Sequence, residues 1–267
     1  VPLLDPAEID STILRYQRAI QQAERGLPTN TVLPLVRARL DTHRQLLPLV
    51  TSMRNPNLKA SHLDKLDKEF GQPLPRGDKL TVSAALAIGL HKQSQLVSKL
   101  ASDATQEAAL LDMLEKVKQQ WIATEFTTKP FKDSRDAIVL GSVDDVLATL
   151  EETQLVVQSV MGSPYVAALR NEADHWNKQL ALFSDTLDEW LACQRSWMYL
   201  ESIFAAPDLQ RQLPTELKMF QSVDVAWKEL MRGVEKDPDA LKSATQPGLL
   251  EKLTQSNATL AAAQKRV

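Results

Sequence analysis

The chain has 267 residues, of which 43% are hydrophobic and 24% charged, with a formal net charge of −3. That is the composition of a folded chain long enough for one large or two ordinary domains, and a slightly acidic balance gives no general pull toward nucleic acid. Glycine is scarce, at 8 residues, which favours helices over glycine-rich phosphate loops.

Charge is unevenly spread. Residues 1–100 carry 14 Lys and Arg against 9 Asp and Glu, and residues 101–200 carry 8 against 16. Solvated helix faces account for this, and an acidic middle could also meet a basic partner surface. The N-terminus has no basic stretch followed by a long apolar one, so no signal peptide is expected. No apolar run approaches the ~18 residues of a membrane span. The chain starts without Met and ends within a helical pattern, and so reads as a piece of something longer.

Residues 6–25 read as a helix, with Ile9, Ile13, Ile20 and Ala23 at helical spacing and Gly26 and Pro28 as the stop. A second helix spans 31–53, where Pro48 should kink it or shorten its end. Asn55-Pro56-Asn57 is a turn, Leu58 to Phe70 a short helix closed by Gly71, and Pro73 to Gly77 a loop. Thr81 opens a brief helix through Leu90. A long helix then runs from His91 to about Ala123, and Gly89 weakens the join between the two. Residues 124–128 and 137–140 are β-prone and predict a small hairpin, with 129–136 as its loop. Ser142 to Asp145 resembles a capping box opening a helix to Met161.

From Ser163 to Ala206 the pattern predicts one helix, with Ser163 as N-cap and Pro164 in its first turn. At ~1.5 Å per residue it would be about 64 Å long, against about 47 Å for the diameter of a compact globule of this length. The expected fold is therefore all-α, an elongated rod of packed helical bundles. Residues 1–140 would form an N-terminal bundle, and 141–267 a second one built on the long helix. A short turn follows Pro207, Pro214-Thr215 starts a helix ended near Pro238, and a last helix occupies 249–267.

The long helix carries an aromatic stripe. Trp176, Phe183, Trp190, Trp197 and Phe204 recur every seven residues, with Leu169 one heptad earlier and Ala173, Leu180 and Leu187 four positions on. A seven-residue repeat holds one stripe against a partner. The stripe reads as bundle core rather than as a binding groove. Cys193, the only cysteine, lies beside Trp190 and Trp197 and reads as a small core residue, because a reactive thiol needs an electropositive, accessible setting.

No chemical constellation competes with this mechanical reading. His43, His62, His91 and His175 follow no metal-ligand spacing, and the sequence holds neither G-x-x-x-x-G-K-[ST] nor G-x-S-x-G. Asp144-Asp145 and Glu151-Glu152 suit a helix N-terminus and a solvated face. No catalytic, cofactor-binding or metal residue is assigned, and the chain itself is not expected to be an enzyme.

From Trp176 onward the order W-x3-L-x6-L-x-x-W-L-x-x-Q-R-x-W-M-Y-L-E-x-I-F resembles the linker region of dynein heavy chains. It is carried here by Trp176, Leu180, Leu187, Trp190, Gln194, Arg195, Trp197, Tyr199, Glu201 and Phe204, among others. The likeness continues through Ala206–Pro214, through Phe220-x-x-Val223-Asp224-x-x-Trp227-Lys228 and through Thr245–Glu251. Those last two stretches look most like the axonemal inner-arm branch. Upstream, Arg54-Asn55-Pro56 and the helix from Thr105 to Trp121 fit more loosely, and the family commonly has His-Trp where this chain has His62-Leu63. Residues 50–267 are covered.

The resemblance implies a non-catalytic lever that swings across a ring of ATPase modules in a microtubule motor. ATP and Mg would be bound in the downstream ring and no cofactor in this chain. The partners implied are the parent's own ring, dynein light or intermediate chains, and the microtubule only indirectly, with neither nucleic acid nor membrane. The setting implied is the cytoskeleton of the cytoplasm, in a cilium or flagellum axoneme. The structural motif would comprise Trp121, Trp176, Phe183, Trp190, Trp197, Tyr199, Phe204 and Trp227. Arg195 and Glu201 would brace the chain internally or contact the ring, with bracing the favoured reading. The rival reading is a freestanding spectrin-like rod that tethers proteins, which needs apolar stripes but not this ordered motif.

Overall fold

A computed structural model describes residues 4–132 and 137–266. The described chain is all-α apart from one two-stranded hairpin, as the sequence predicts. It packs as two compact units, Val1–Ala109 and Leu110–Val267. The division falls inside a helix at 109/110, whereas the sequence suggested 140/141. The hairpin belongs to the second unit because its apolar residues are buried there: Ile138, Val139 and Leu140 all lie in that unit's core.

In the first unit, α1 (Pro6–Gly26) is capped by Asp5, whose carboxylate accepts the Ala7 N–H at 2.9 Å, with Pro6 at its first position. It packs on α2 (Val32–Met53). Pro48 sits inside α2 and does not shorten it, since the helix continues to Met53. Then comes α3 (Ala60–Phe70), closed by Gly71 at φ +67°. Thr81 caps α4 (Val82–Ala87), accepting the Ala84 N–H at 3.1 Å. Gly89, at φ +75°, breaks the join to the next helix. A 3-10 turn, Leu90–Gln93, follows, and α5 (Ser94–Ile122) begins after it. The core of this unit gathers Leu46, Leu49, Leu66, Leu74, Leu80, Ala85, Leu90 and Val97. One polar pair is buried beside it. His62 Nδ1 accepts the Lys59 N–H at 3.1 Å, so its proton sits on Nε2, which donates to Glu107 at 3.0 Å.

The second unit contains the remainder of α5, β1 (Thr128–Pro130), β2 (Ile138–Leu140), α6 (Asp144–Gly162), α7 (Arg170–Phe204), α8 (Pro207–Gln212), α9 (Pro214–Lys236), α10 (Ala240–Ala244) and α11 (Leu249–Gln264). The strands are antiparallel, with Thr128 opposite Leu140 and Pro130 opposite Ile138. The hairpin is shifted from the predicted strands, so that Lys129 lies in β1 rather than in the loop; residues 133–136 of the predicted loop lie outside the described residues. Residues 124–126 pair elsewhere. The Phe126 N–H donates to the Pro238 carbonyl at 2.8 Å, and the Ala240 N–H to the Thr124 carbonyl at 3.1 Å. Gly141 follows β2 where the chain passes against Thr127: a Cβ there would lie 2.5 Å from Thr127 Oγ1.

Two predicted helix starts are corrected. α7 begins at Arg170, not at Ser163, and its 35 residues span about 52 Å. Ser163 instead ends α6: its N–H bonds the Val160 carbonyl, and its Oγ accepts the Tyr165 N–H at 3.2 Å. A 3-10 turn, Val166–Leu169, then points Val166 and Leu169 into the core. The expected capping box at α6 does not form. Val143 is the N-cap, and the Ser142 hydroxyl turns to the Asp144 carboxylate at 2.8 Å. The short turn after Pro207 proves to be α8, with Pro207 at its first position, and Pro214 opens α9 in the same way.

Candidate functional site

The residues that set this chain apart meet along α7. Its heptad residues Phe183, Trp190, Trp197 and Phe204 are all buried, as are Ala173, Leu180 and Leu187 on the same face. Each buried ring meets an aromatic from another element. Phe183 takes the edge of Trp121 from α5 at 4.6 Å between centroids and stacks on Phe126 at 6.1 Å. Trp190 meets Phe126 edge-on at 5.6 Å. Trp197 lies between Phe131, from the hairpin, and Trp227 of α9, both at 5.5 Å. Phe204 meets Phe220 of α9, also at 5.5 Å. Offset and edge-on pairs of this kind add about 0.5–1.5 kcal/mol each beyond the area they bury. One helix thus gathers α5, α9 and the hairpin onto a single aromatic spine.

Polar groups fix the register of that spine. Trp121 Nε1–H donates to Thr153 Oγ1 of α6 at 3.1 Å, and the Thr153 hydroxyl donates on to the Thr149 carbonyl at 2.7 Å. Trp197 Nε1–H donates to one Asp224 oxygen at 3.0 Å, while Lys228 holds the other at 2.7 Å. Trp227 Nε1–H donates to the Ile138 carbonyl of β2 at 3.1 Å. Trp190 differs: its indole N–H is buried with no partner among the described residues, so this residue acts by packing. Asn257 of α11 donates to both the carbonyl and the carboxylate of Glu189.

Gln194 makes the most specific contact. Its side-chain amide copies a strand edge: Oε1 accepts the Leu140 N–H at 2.8 Å, and Nε2 donates to the Leu140 carbonyl at 3.2 Å. Together with Trp227 it fastens β2 between α7 and α9. Gln194→Leu keeps the volume but strands both Leu140 groups in a partly buried place. The expected loss is about 2–3 kcal/mol, measured by urea unfolding, with faster amide exchange at Leu140 than at α7 core positions.

The predicted site residues divide by position. Trp121, Phe183, Trp190, Trp197, Phe204 and Trp227 converge, and Trp176 is half-buried against the same core. Tyr199 does not join them; it is 55% exposed, because position 199 faces away from the stripe. Glu201 pairs with Lys132 at 2.6 Å, tying the hairpin to α7. Arg195 is exposed and makes no ion pair among the described residues. Phe126, Phe131, Thr153 and Asp224 complete the arrangement and were not read as site residues. Phe126 is an apolar residue in a β-prone stretch and Asp224 belongs to the family motif, whereas Phe131, in the predicted loop, and Thr153 carry no local signal of their role.

Cys193 is buried among these groups, as expected of a core residue. Burial, reinforced by the nearby Glu189 carboxylate, pushes its thiol up to about 12. The folded state keeps the proton that the unfolded chain gives up at its lower, ordinary value. Stability from this group is therefore full below the ordinary thiol range and falls by about 1.4 kcal/mol per pH unit up to about 12. A Cys193→Ala variant should lack that alkaline slope in urea unfolding, and the native thiol should resist iodoacetamide at pH 8 until the chain is unfolded.

Among the described residues, no three His, Cys, Asp or Glu side chains converge as a metal site, and no helix is long and apolar enough to cross a membrane. The sequence model of the family described as "Dynein heavy chain, N-terminal region 2" matches residues 2–267. The chain is 42% identical over 98% of its length to dynein axonemal heavy chain 6 of Homo sapiens, covering 6% of that protein. It is 30% identical over 88% of its length to dynein axonemal heavy chain 2 of Mus musculus, covering 5%, and 31% identical over 86% to dynein axonemal heavy chain 1 of Rattus norvegicus, also covering 5%.

Proposed function

The chain belongs to the dynein heavy chain family, matching its N-terminal region 2, and from that premise we propose that it is the non-catalytic lever of an axonemal dynein motor. In this reading the parent chain hydrolyses ATP in a ring of ATPase modules, and this segment swings against that ring to move the motor along a microtubule. The ring of the same heavy chain is its direct partner, and dynein light or intermediate chains are further ones. Its place is the axoneme of a cilium or flagellum. ATP and Mg belong to the ring, and this chain supplies stiffness rather than chemistry.

The observation that carries the reading is the aromatic spine. A lever transmits force only if its elements do not slide. Here α7 is joined to α5, α9 and the hairpin by aromatic rings whose register is set by directed hydrogen bonds. Packed interiors deform little under load, because a shift of even half an ångström forfeits contact energy along the whole seam. The seven-residue spacing of bulky rings repeats this lock along the helix.

The test is made in the intact motor. Trp197→Phe keeps a ring in the spine but loses the Asp224 bond, and Trp190→Phe keeps packing at a position that donates no bond. Optical-trap displacement per ATP is expected to fall for Trp197→Phe and to hold for Trp190→Phe, with basal ATP turnover unchanged in both. Unchanged displacement and stall force in Trp197→Phe would sink the lever reading of the spine.

A further inference from the structure

Apolar surface is left open on α1 and α2. Six of the eleven large hydrophobic residues that are exposed among the described residues lie between Leu14 and Val36, whereas exposed apolar residues on a finished surface are scattered singly. The two helices form a hairpin, and Arg37 of α2 pairs with Glu24 of α1 at 2.6 Å close to its turn. Between them runs a hollow of about 540 Å³, lined by Ile9, Ile13, Tyr16 and Ile20 from α1 and by Val36 and Leu40 from α2. The α1 residues recur at steps of four, three and four, so they form one stripe on the helix. Only part of that stripe is used within the unit. Ile13 and Ile20 are buried, but Tyr16 is 52% and Val36 47% exposed, and Ile9 and Leu40 are half-buried.

The hairpin is also basic. Residues 11–44 carry six arginines against Glu24 and Asp41. Arg39 and His43 line the hollow itself, with Glu8 at its far end. Arg18, Arg25, Arg39 and Arg44 have no ion-pair partner among the described residues. We infer that the α1–α2 groove is the docking site of an acidic amphipathic helix on a separate polypeptide. Shape selects the helix. An apolar seam between two helices, open along one side, accepts the ridge of a third. From Ile9 to Ile20 the seam is about 17 Å long, or roughly three turns, which suits a row of apolar side chains rather than one enclosed ligand. A flat membrane surface would touch the outer residues of the hairpin and leave the hollow unfilled. Charge selects the carboxylates. Acidic residues beside the apolar row meet Arg39 in the hollow and are drawn by the arginines around it. Unpaired surface arginines speed encounter with a partner that arrives by diffusion, which points to a separate polypeptide rather than to a segment folded with the hairpin. The inference does not depend on the lever reading.

The probe is a synthetic peptide of about five helical turns, with Leu at i, i+3, i+4 and i+7 and Glu on both flanks. It is titrated into the 267-residue chain by fluorescence anisotropy. The expected result is saturable binding of one peptide per chain, weakening as salt rises. Val36→Glu and Arg39→Glu should each weaken binding by roughly tenfold or more. Both positions are exposed on α2, so the thermal midpoint should hold. A peptide with Lys in place of Glu should prefer the Arg39→Glu variant to the parent chain. Leu155→Glu, at an exposed leucine of α6 outside the groove, should bind the Glu peptide as the parent chain does. Equal binding of an isomeric peptide with its leucines spread round the helix, or an equal loss in Leu155→Glu, marks general hydrophobic adhesion and overturns the proposal. Sedimentation of the chain with phosphatidylserine vesicles, or its dimerisation without peptide, also overturns it if Val36→Glu abolishes the effect, since the occupant is then a membrane or a second copy. In the intact heavy chain freed of other subunits, a maleimide should label Val36→Cys. Protection there assigns the groove to the heavy chain itself and overturns the proposal as well.

Discussion

Trp197→Ala is expected to lower the stability of the Leu110–Val267 unit by about 3–5 kcal/mol, the range for truncating a buried large aromatic. The indole has no exposed surface; it stacks on Trp227 from α9 and makes a T-shaped contact with Phe131 from the hairpin. Its loss leaves a cavity between elements that are far apart in sequence and cannot easily close on each other. It also removes the bond to Asp224, whose carboxylate then keeps only Lys228. Urea unfolding followed by circular dichroism measures the change. Trp197→Phe separates the two contributions, since it retains most of the packing and should cost about 1–2 kcal/mol through the smaller ring and the lost hydrogen bond. A double-mutant cycle with Trp227→Leu should give a coupling near 1 kcal/mol or more for the stacked pair. Simple additivity would show that the two rings contribute independently.

Trp121→Ala should cost a similar amount, about 3–4 kcal/mol, for a different reason. This residue ties three helices. Its ring edge meets Phe183 of α7, and its N–H reaches Thr153 of α6, where the threonine hydroxyl is already committed to the Thr149 carbonyl. The relay is buried, so each end matters. Thr153→Val leaves the Trp121 N–H without an acceptor and should cost about 1–3 kcal/mol, although the side-chain volume barely changes. Trp121→Phe removes the donor and should largely cancel that penalty, so the double variant Trp121→Phe/Thr153→Val should be less destabilised than the two single losses summed. The same unfolding measurement reads all three. An additive result would mean that the indole N–H is not held by Thr153.

The spine shows why some of this arrangement was legible and some was not. A seven-residue repeat of Trp and Phe is a local property of the chain, and on a helix it can face only one way. Burial of Phe183, Trp190, Trp197 and Phe204 follows from that spacing. Tyr199 sits two residues beyond Trp197 and so turns outward, a consequence of the same geometry that the family motif by itself did not reveal. Gln194 belongs to the motif, but nothing near it in sequence says that its amide will stand in for a strand. Its partner, Leu140, lies 54 residues earlier.

Helix ends show the same division. Proline fixed the starts at Pro6, Pro207 and Pro214 because its ring suits the first turn and its missing N–H has no partner there. Pro164 carries the same local signal, yet α7 starts only at Arg170. Val166 and Leu169 gain core burial by adopting a 3-10 turn, and that gain exists only when the rest of the unit is present to bury them. Residues 124–126 are β-prone and do pair, but with 238–240, a choice set by where α9 ends.

The sequence by itself therefore determined the helical class, most element boundaries, the presence of a hairpin and the face that α7 buries. All of these rest on periodicity, on glycine and proline, and on interactions within a few residues. The tertiary structure decided which rings meet, where the hairpin is fastened, which carboxylate each cation finds and where the compact units divide. These depend on chain segments brought together across tens of residues, and many sequences of the same local pattern would satisfy them differently.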